Sequence, residues 1–313
     1  MSDRLRAAVI GVGYLGRFHA QKWAGVDGVE LAGVVDSDAD RARLVAAEVG
    51  TVAHDDYRPL LGQVDLVSVV VPTEHHYRVV RDCLEAGVHV LVEKPITQRV
   101  DEADQLIELA GARGLTLQVG HLERFNPAWL VLRPHVTSPR FIETHRLAPF
   151  KPRGTDVSVV LDLMIHDLDL ILSVVASPVA EVRASGTAVL TEGIDIGNAR
   201  IEFENGCVAN LTASRVSVGT LRKMRLFLKD RYLAIDFGER RVQAARRGGE
   251  PGQPIVLDEI TVPAGDALMN EIEAFARAVR QGEPAPVSGE DGRRALALAL
   301  EIGELMRGRG KAR

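Results

Sequence analysis

Three glycines at the spacing G-x-G-x-x-G, Gly11, Gly13 and Gly16, follow an apolar run ending at Ile10 and open a segment of helical spacing. That placement constrains the chain more than any other feature. Gly11 permits a tight turn, Gly13 lets the backbone approach a pyrophosphate, and Gly16 lets helix and strand pack closely, while the helix N-terminus offers amide donors to phosphate. The next apolar run, Leu31 to Val35, ends in Asp36, about twenty residues past the glycines, where a carboxylate accepts from the adenine ribose and repels a 2'-phosphate. The bland alternative is an ordinary tight turn followed by an ordinary loop acid. Strand, glycines, helix and acid in register favour a dinucleotide site, for NAD rather than NADP.

The rest of the first 120 residues keeps the same rhythm, with short apolar runs alternating with amphipathic segments. This is the pattern of a parallel sheet with crossover helices. Expected strands are Ala7 to Ile10, Val29 to Val35, Val64 to Val71, Val88 to Val92 and Thr116 to Val119, the third nearly continuous in apolar residues as a central strand would be. Beyond His121 the pattern changes. One long helix is expected from Asp156 to Val175, then alternating strands at Ala180 to Val189, Ala199 to Phe203 and Cys207 to Ser214, with Glu204-Asn205-Gly206 as a hairpin turn. Two more helices are expected from Asp266 to Arg280 and Asp291 to Met306, the second capped by Ser288. The expected fold is α/β: an N-terminal Rossmann domain, residues 1–122, with a doubly wound parallel sheet, and a C-terminal α+β domain, residues 123–313, with a large, mostly antiparallel open sheet for substrate binding and oligomerisation. The last helix is free to pack back on the first domain.

Composition narrows the function classes. A chain of 313 residues is long enough for two cores, and its formal charge of -5 with no basic run argues against nucleic acid as a partner. Only Cys83 and Cys207 are present, too few for a disulfide framework or a cysteine-built zinc site, as expected in the cytoplasm. Gly11 and Gly13 break the first apolar run before it could serve as a signal-peptide core, and no apolar stretch approaches the ~18 residues of a membrane span.

Two constellations carry chemistry. Glu93-Lys94-Pro95 follows the strand Val88 to Val92 at the carboxyl edge of the sheet, where ligands of doubly wound folds bind, and Pro95 restricts the backbone of Lys94. A lysine there can stabilise a developing alkoxide, although alone it would read as a solvated turn residue. In the apolar helix around Val159 to Leu170, Asp162, His166 and Asp169 fall on one stripe. A histidine with a carboxylate one turn away suits proton transfer during alcohol oxidation. Geometry alone leaves that reading level with a satisfied core pair. A metal held by this set is the poorer option, with no third histidine nearby, so no metal is expected.

The glycine loop, Val71-Pro72-Thr73-Glu74-His75-His76, Glu93-Lys94-Pro95 and Asp162-x-x-x-His166 together resemble the Gfo/Idh/MocA oxidoreductases over nearly the whole chain. The resemblance implies hydride transfer between nicotinamide and a carbinol carbon of a sugar or nucleotide-sugar, with Lys94, Asp162 and His166 as the catalytic set. It implies cofactor contacts from Gly11, Gly13, Tyr14, Leu15, Gly16, Asp36, Pro72, Thr73, His76, Glu93 and Lys94. Gly120 to Ala128 stands where the family carries an R-[FY]-[ND]-P loop, implying that Arg124 and Asn126 join Lys94 and His166 at the substrate; the alternative is that Arg124 pairs with Glu123 or a surface acid. With Met164 to Leu170, this loop looks most like the branch that includes UDP-N-acetylglucosamine 3-dehydrogenases. Arg215, Arg222 and Lys223 could meet a diphosphate or form a solvated strand edge. Other readings are an inositol or free-sugar dehydrogenase, another reductase of the family, or a non-catalytic NAD-binding sensor. The open sheet, with apolar or small residues on both faces at Val208 to Ala213 and Leu226 to Leu228, is expected to pair copies into a homodimer or homotetramer.

Overall fold

The computed structural model of the chain describes residues 4–150, 157–248 and 255–310. These fall into two units, one formed by residues up to 122 with 266–293, the other by 123–265 with 294 onward.

The first unit contains β1 (Leu5–Ile10), α1 (Tyr14–Trp23), β2 (Val29–Val35), α2 (Ala39–Val49), β3 (Ala53–His54), β4 (Leu66–Val69), α3 (His76–Glu85), β5 (His89–Glu93), α4 (Val100–Arg113) and β6 (Leu117–Gly120). The six strands are all parallel in the order β3-β2-β1-β4-β5-β6. The order reverses direction between β1 and β4, so the loops leaving their carboxyl ends diverge and open a crevice. Every residue of β4 is buried, as its apolar run requires, although the strand is shorter than the Val64 to Val71 expected. Its one polar residue is satisfied, because Trp23 Nε1 donates to Ser68 Oγ at 2.8 Å.

The second unit contains α5 (Pro127–Leu132), β7 (Phe141–Leu147), a π-helical turn (Val160–Met164) running into α6 (Ile165–Val174), then β8 (Val179–Thr187), β9 (Ile196–Phe203), β10 (Val208–Ser214), β11 (Leu221–Phe227), β12 (Arg231–Asp236), β13 (Arg241–Arg247) and β14 (Ile255–Ile260). Its eight strands run β14-β13-β12-β11-β7-β10-β9-β8, with only β7 and β10 parallel. Sequence patterning found the hairpin at Glu204 to Gly206, where Gly206 has φ +82° and Asn205 Oδ1 accepts from the Cys207 amide. It gave no ranges for β7, β11, β12, β13 or β14, whose rows of Arg, Glu and Asp dilute the alternation. The expected helix start at Asp156 lies outside the described residues.

Alternation sends Ile142, Leu211, Leu226 and Leu233 to a core shared with Ile165, Leu168 and Ile171 of α6. The opposite face is apolar at Phe227 as well, as expected for Leu226 to Leu228, but there the apolar residues are mixed with ion pairs. It carries an aromatic patch of Phe141, Phe227 and Tyr232, with ring centroids 5.7 and 5.1 Å apart, set among the pairs Arg225–Glu143, Arg200–Glu202 and Lys223–Asp236.

Two helices close the chain, α7 (Ala267–Gln281) and α8 (Gly289–Gly310). The sequence reading left α7 with the second domain; in the structure it belongs to the first unit, where Phe275 meets Trp23 edge-on with centroids 6.3 Å apart and Asp266 pairs with Lys22 at 2.7 Å. Ser288 and Asp291 cap α8 reciprocally, Asp291 N donating to Ser288 Oγ and Ser288 N to Asp291 Oδ2.

Candidate active site

The first unit holds a cavity of about 1240 Å³ at the β1/β4 crevice. It exceeds the ~300 to 1,000 Å³ usual for drug-sized ligands. Gly11, Gly13, Leu15, Asp36, Pro72, Thr73, His76, Glu93 and Lys94 line it, so nine of the expected cofactor residues meet around one space. Gly16 lies beneath the loop rather than in the lining: a Cβ there would fall 1.9 Å from the Gly11 carbonyl oxygen. Gly11 itself has φ +88°, whereas a Cβ on Gly13 would meet nothing within 4 Å. The open side of Gly13 at the start of α1, with no side chain capping that helix, is the cradle a pyrophosphate requires. Tyr14 is exposed and packs edge-on against Phe18.

Asp36 ends β2 and is nearly buried. It accepts from the Val12 amide at 2.9 Å and the Asp38 amide at 3.0 Å, and Arg41 donates from Nε and Nη2. Burial pushes its carboxyl up, but the Arg41 guanidinium and the two amides outweigh it and hold the group below the ordinary aspartate range. Arg41, Ser37, Tyr57 and Arg58 also line the cavity and were missed from sequence. For Arg41 a signal existed, a cation five residues past the acid on the first turn of a helix.

The loops after β4 and β5 are tied together by His76. Its Nε2 lies 2.9 Å from the Val71 carbonyl and its Nδ1 2.8 Å from that of Pro95. Burial lowers the imidazole pKa, against the pull of those carbonyls, and which of the two ring nitrogens donates depends on the tautomer. Glu93 is held from behind by His19 Nε2 at 3.1 Å. Lys94 therefore leaves a strand end fixed on both sides, and the Lys94–Pro95 peptide is cis.

In the second unit, Asp162 sits on the π-helical turn and His166 in the first turn of α6, both half-buried. Sequence reasoning expected an unbroken α-helix; the inserted residue widens the turn before His166, a feature often found at functional sites. The third member of the expected stripe, Asp169, is engaged elsewhere. Arg124 Nε and Nη2 clasp it at 2.6 and 2.9 Å. Arg124 thus pairs with a buried helix acid.

Asp167 is clasped in the same way by Arg146 of β7, at 3.1 and 2.8 Å, and Arg146 also donates to Glu123 at 2.9 Å. Burial opposes its charge, yet the two carboxylates push the guanidinium pKa up. Glu123 further accepts from Asn126 Nδ2 at 3.0 Å, and Asn126 Oδ1 caps α5. Both ends of the Asn126 amide are thus engaged within the loop. Both acids after His166 anchor α6 to the loop and the sheet, which leaves Asp162 and His166 as the stripe's residues for chemistry. Arg215 is buried, donating to the Val157 carbonyl, while Arg222 reaches Glu123 and Lys223 reaches Asp236. Among the described residues no group of three or more His, Cys, Asp or Glu could hold a metal ion.

Comparison with known proteins places these features. A family model described as oxidoreductase family, NAD-binding Rossmann fold (GFO_IDH_MocA), matches residues 5–121, and the GFO/IDH/MocA C-terminal domain matches 135–232. The UDP-N-acetylglucosamine 3-dehydrogenase of Acidithiobacillus ferrooxidans is 46% identical over 302 residues, covering 95% of this chain and 96% of that protein. The myo-inositol 2-dehydrogenase of Thermotoga maritima is 28% identical over 314 residues, 94% of each chain. A solved structure of the Acidithiobacillus enzyme superposes with a TM-score of 0.93 at 43% identity, covering 97% of this chain and 98% of that one.

Proposed function

The chain belongs to the Gfo/Idh/MocA oxidoreductase family, and from that premise we propose that it oxidises UDP-N-acetylglucosamine at the C3 hydroxyl with NAD. It is an NAD-dependent dehydrogenase of sugar-type hydroxyls; the particular substrate is the proposal. The observation that carries it is the full-length likeness to the Acidithiobacillus enzyme.

The Gly13 cradle, the start of α1 and Asp36 suit the pyrophosphate and adenine ribose of NAD, which when bound supplies the hydride acceptor. His166 takes the hydroxyl proton at a ring nitrogen, while Asp162 orients the imidazole. The Lys94 ammonium steadies negative charge developing on the same oxygen. Arg124 and Asn126 frame the substrate from their loop. The same groups serve the reverse direction.

Screening UDP-N-acetylglucosamine, free sugars and inositols for NAD reduction tests the reading. Turnover of an inositol in preference to the nucleotide-sugar would replace the substrate, as the Thermotoga relative's activity suggests. No turnover of any hydroxyl would favour a sensor of NAD, a role that has no need of Lys94, Asp162 and His166 together. We further propose a cytoplasmic protein, supported by two cysteines that are both free, and a homodimer or homotetramer paired through the outer face of the second unit's sheet. No helix of the described residues is long and apolar enough to cross a membrane.

A further inference from the structure

At one end of the second unit's sheet lies a cavity of about 670 Å³ that none of the chemistry above uses. The residue before β7, the residue after β11, the first of β12 and the last two of β13 border it, together with the Pro134–His135 turn. β7 runs from this end to Leu147, about 20 Å at ~3.3 Å per residue. Arg146, which anchors α6, stands at the far end. The cavity is therefore separate from the part of the unit that carries Asp162 and His166.

The residues in it are unusual for their position. Arg140, Leu228, Arg231 and Arg246 each lie two residues beyond a buried side chain, namely Ile142, Leu226, Leu233 and Ala244. Strand alternation therefore continues the core-facing rows into them, yet three of the four are arginines. Arg231 and Arg246 stand directly opposite each other across β12 and β13, a like-charge pairing that destabilises a sheet. Asp258 takes Arg246 at 3.3 Å. Among the described residues Arg140, Lys229, Arg231 and Arg247 have no ion pair, and Asp230 is the one acid in the lining. Thr137 and Ser138 add hydroxyl donors.

We propose that this cavity is a binding site for a small anion bearing two or more phosphate groups. Guanidinium groups meet phosphate oxygens bidentately, and clustered cations offset their mutual repulsion by sharing one multivalent anion. The inner-face rows keep the site apart from the sheet face through which copies are proposed to pair, so binding is compatible with the assembled protein.

The test is calorimetric titration of the whole protein, saturated with NAD so that its nucleotide cavity is filled, with inorganic pyrophosphate. Binding is expected, and the double variant Arg140→Gln/Arg231→Gln should weaken it by about tenfold or more, as for loss of charge-assisted hydrogen bonds. Neither residue has a fold-supporting ion pair among the described residues, so the variant's melting temperature without ligand should match wild type. No binding to the wild type, or equal binding to a folded double variant, would overturn the site. ADP under the same conditions distinguishes the source: tighter binding than pyrophosphate that is lost in the variant marks a nucleotide, and weaker binding marks an inorganic anion.

Discussion

Arg41 grips Asp36 edge to edge, Nε to Oδ2 at 3.0 Å and Nη2 to Oδ1 at 2.9 Å, at the mouth of the nucleotide cavity. The acid that rejects a 2'-phosphate thus also occupies the cation that could accept one. Asp36→Ala removes the repulsion and frees Arg41 together. We expect the preference for NADH over NADPH, as a ratio of kcat/KM, to fall by roughly tenfold or more, and Asp36→Ala/Arg41→Ala to recover part of that loss. A wild-type enzyme that used NADPH as well as NADH would refute the role of Asp36.

Lys94→Ala and His166→Ala should each lower turnover by roughly 10² to 10⁴ while NADH binding, read by fluorescence titration, persists. Near-normal turnover in a folded His166→Ala protein would remove it from proton transfer and leave Lys94 as the candidate proton carrier.

Arg146 is buried between Asp167 and Glu123. Arg146→Met leaves buried Asp167 without its cation and Glu123 with only the longer Arg222 contact, so a loss of about 3 to 5 kcal/mol is expected by chemical denaturation. A change within experimental error would mean that the network is dispensable to the fold.

Glu271 of α7 is fully buried with no hydrogen-bond partner for either carboxylate oxygen among the described residues. Burial, then the charge of Glu93, pushes its carboxyl well above the ordinary value of 4.5. The native state keeps a proton that the unfolded chain has released, so this contribution to stability is full below about pH 4.5 and declines as pH rises toward the shifted value. His76 acts oppositely: its lowered value lets stability grow with pH up to the ordinary 6.5. Melting curves of wild type and Glu271→Gln from mildly acidic to mildly alkaline pH should diverge, the variant gaining relative stability as pH rises. Parallel curves would place the charge elsewhere.

Light scattering at micromolar concentration should give a multiple of the 34.0 kDa chain mass. A monomer, unchanged by NAD, would exclude pairing through the sheet. Phe227→Asp in the aromatic patch should weaken the assembly if that face pairs.

The nucleotide half was legible because its signals are local. A glycine loop needs its neighbours within a few residues, β-branched runs announce buried strands, and Asp36 follows at the spacing one crossover sets. Likewise Ser288 and Asp291 cap a helix by contacts three residues apart. The β-strands from Leu221 onward were less legible, since each sends only two or so residues to the core, as Met224 and Leu226 do, and the charged residues between them leave a short apolar signal.

What the sequence determined by itself is therefore most of the alternation of strands and helices in the first unit, most of the expected residues around its cavity, and the identity of Asp162 and His166 as a polar pair on an apolar helix. Tertiary structure alone decided that Asp169 belongs to Arg124, that Asp167 belongs to Arg146, that Asp36 carries Arg41, and that α7 joins the first unit. Arg124 and Asp169 are 45 positions apart and Trp23 and Phe275 far more. A buried charge must find a counter-charge and an apolar helix face must find a core, but many acids and faces along the chain would satisfy either need. Only the folded backbone, by bringing one of them within reach, makes the choice.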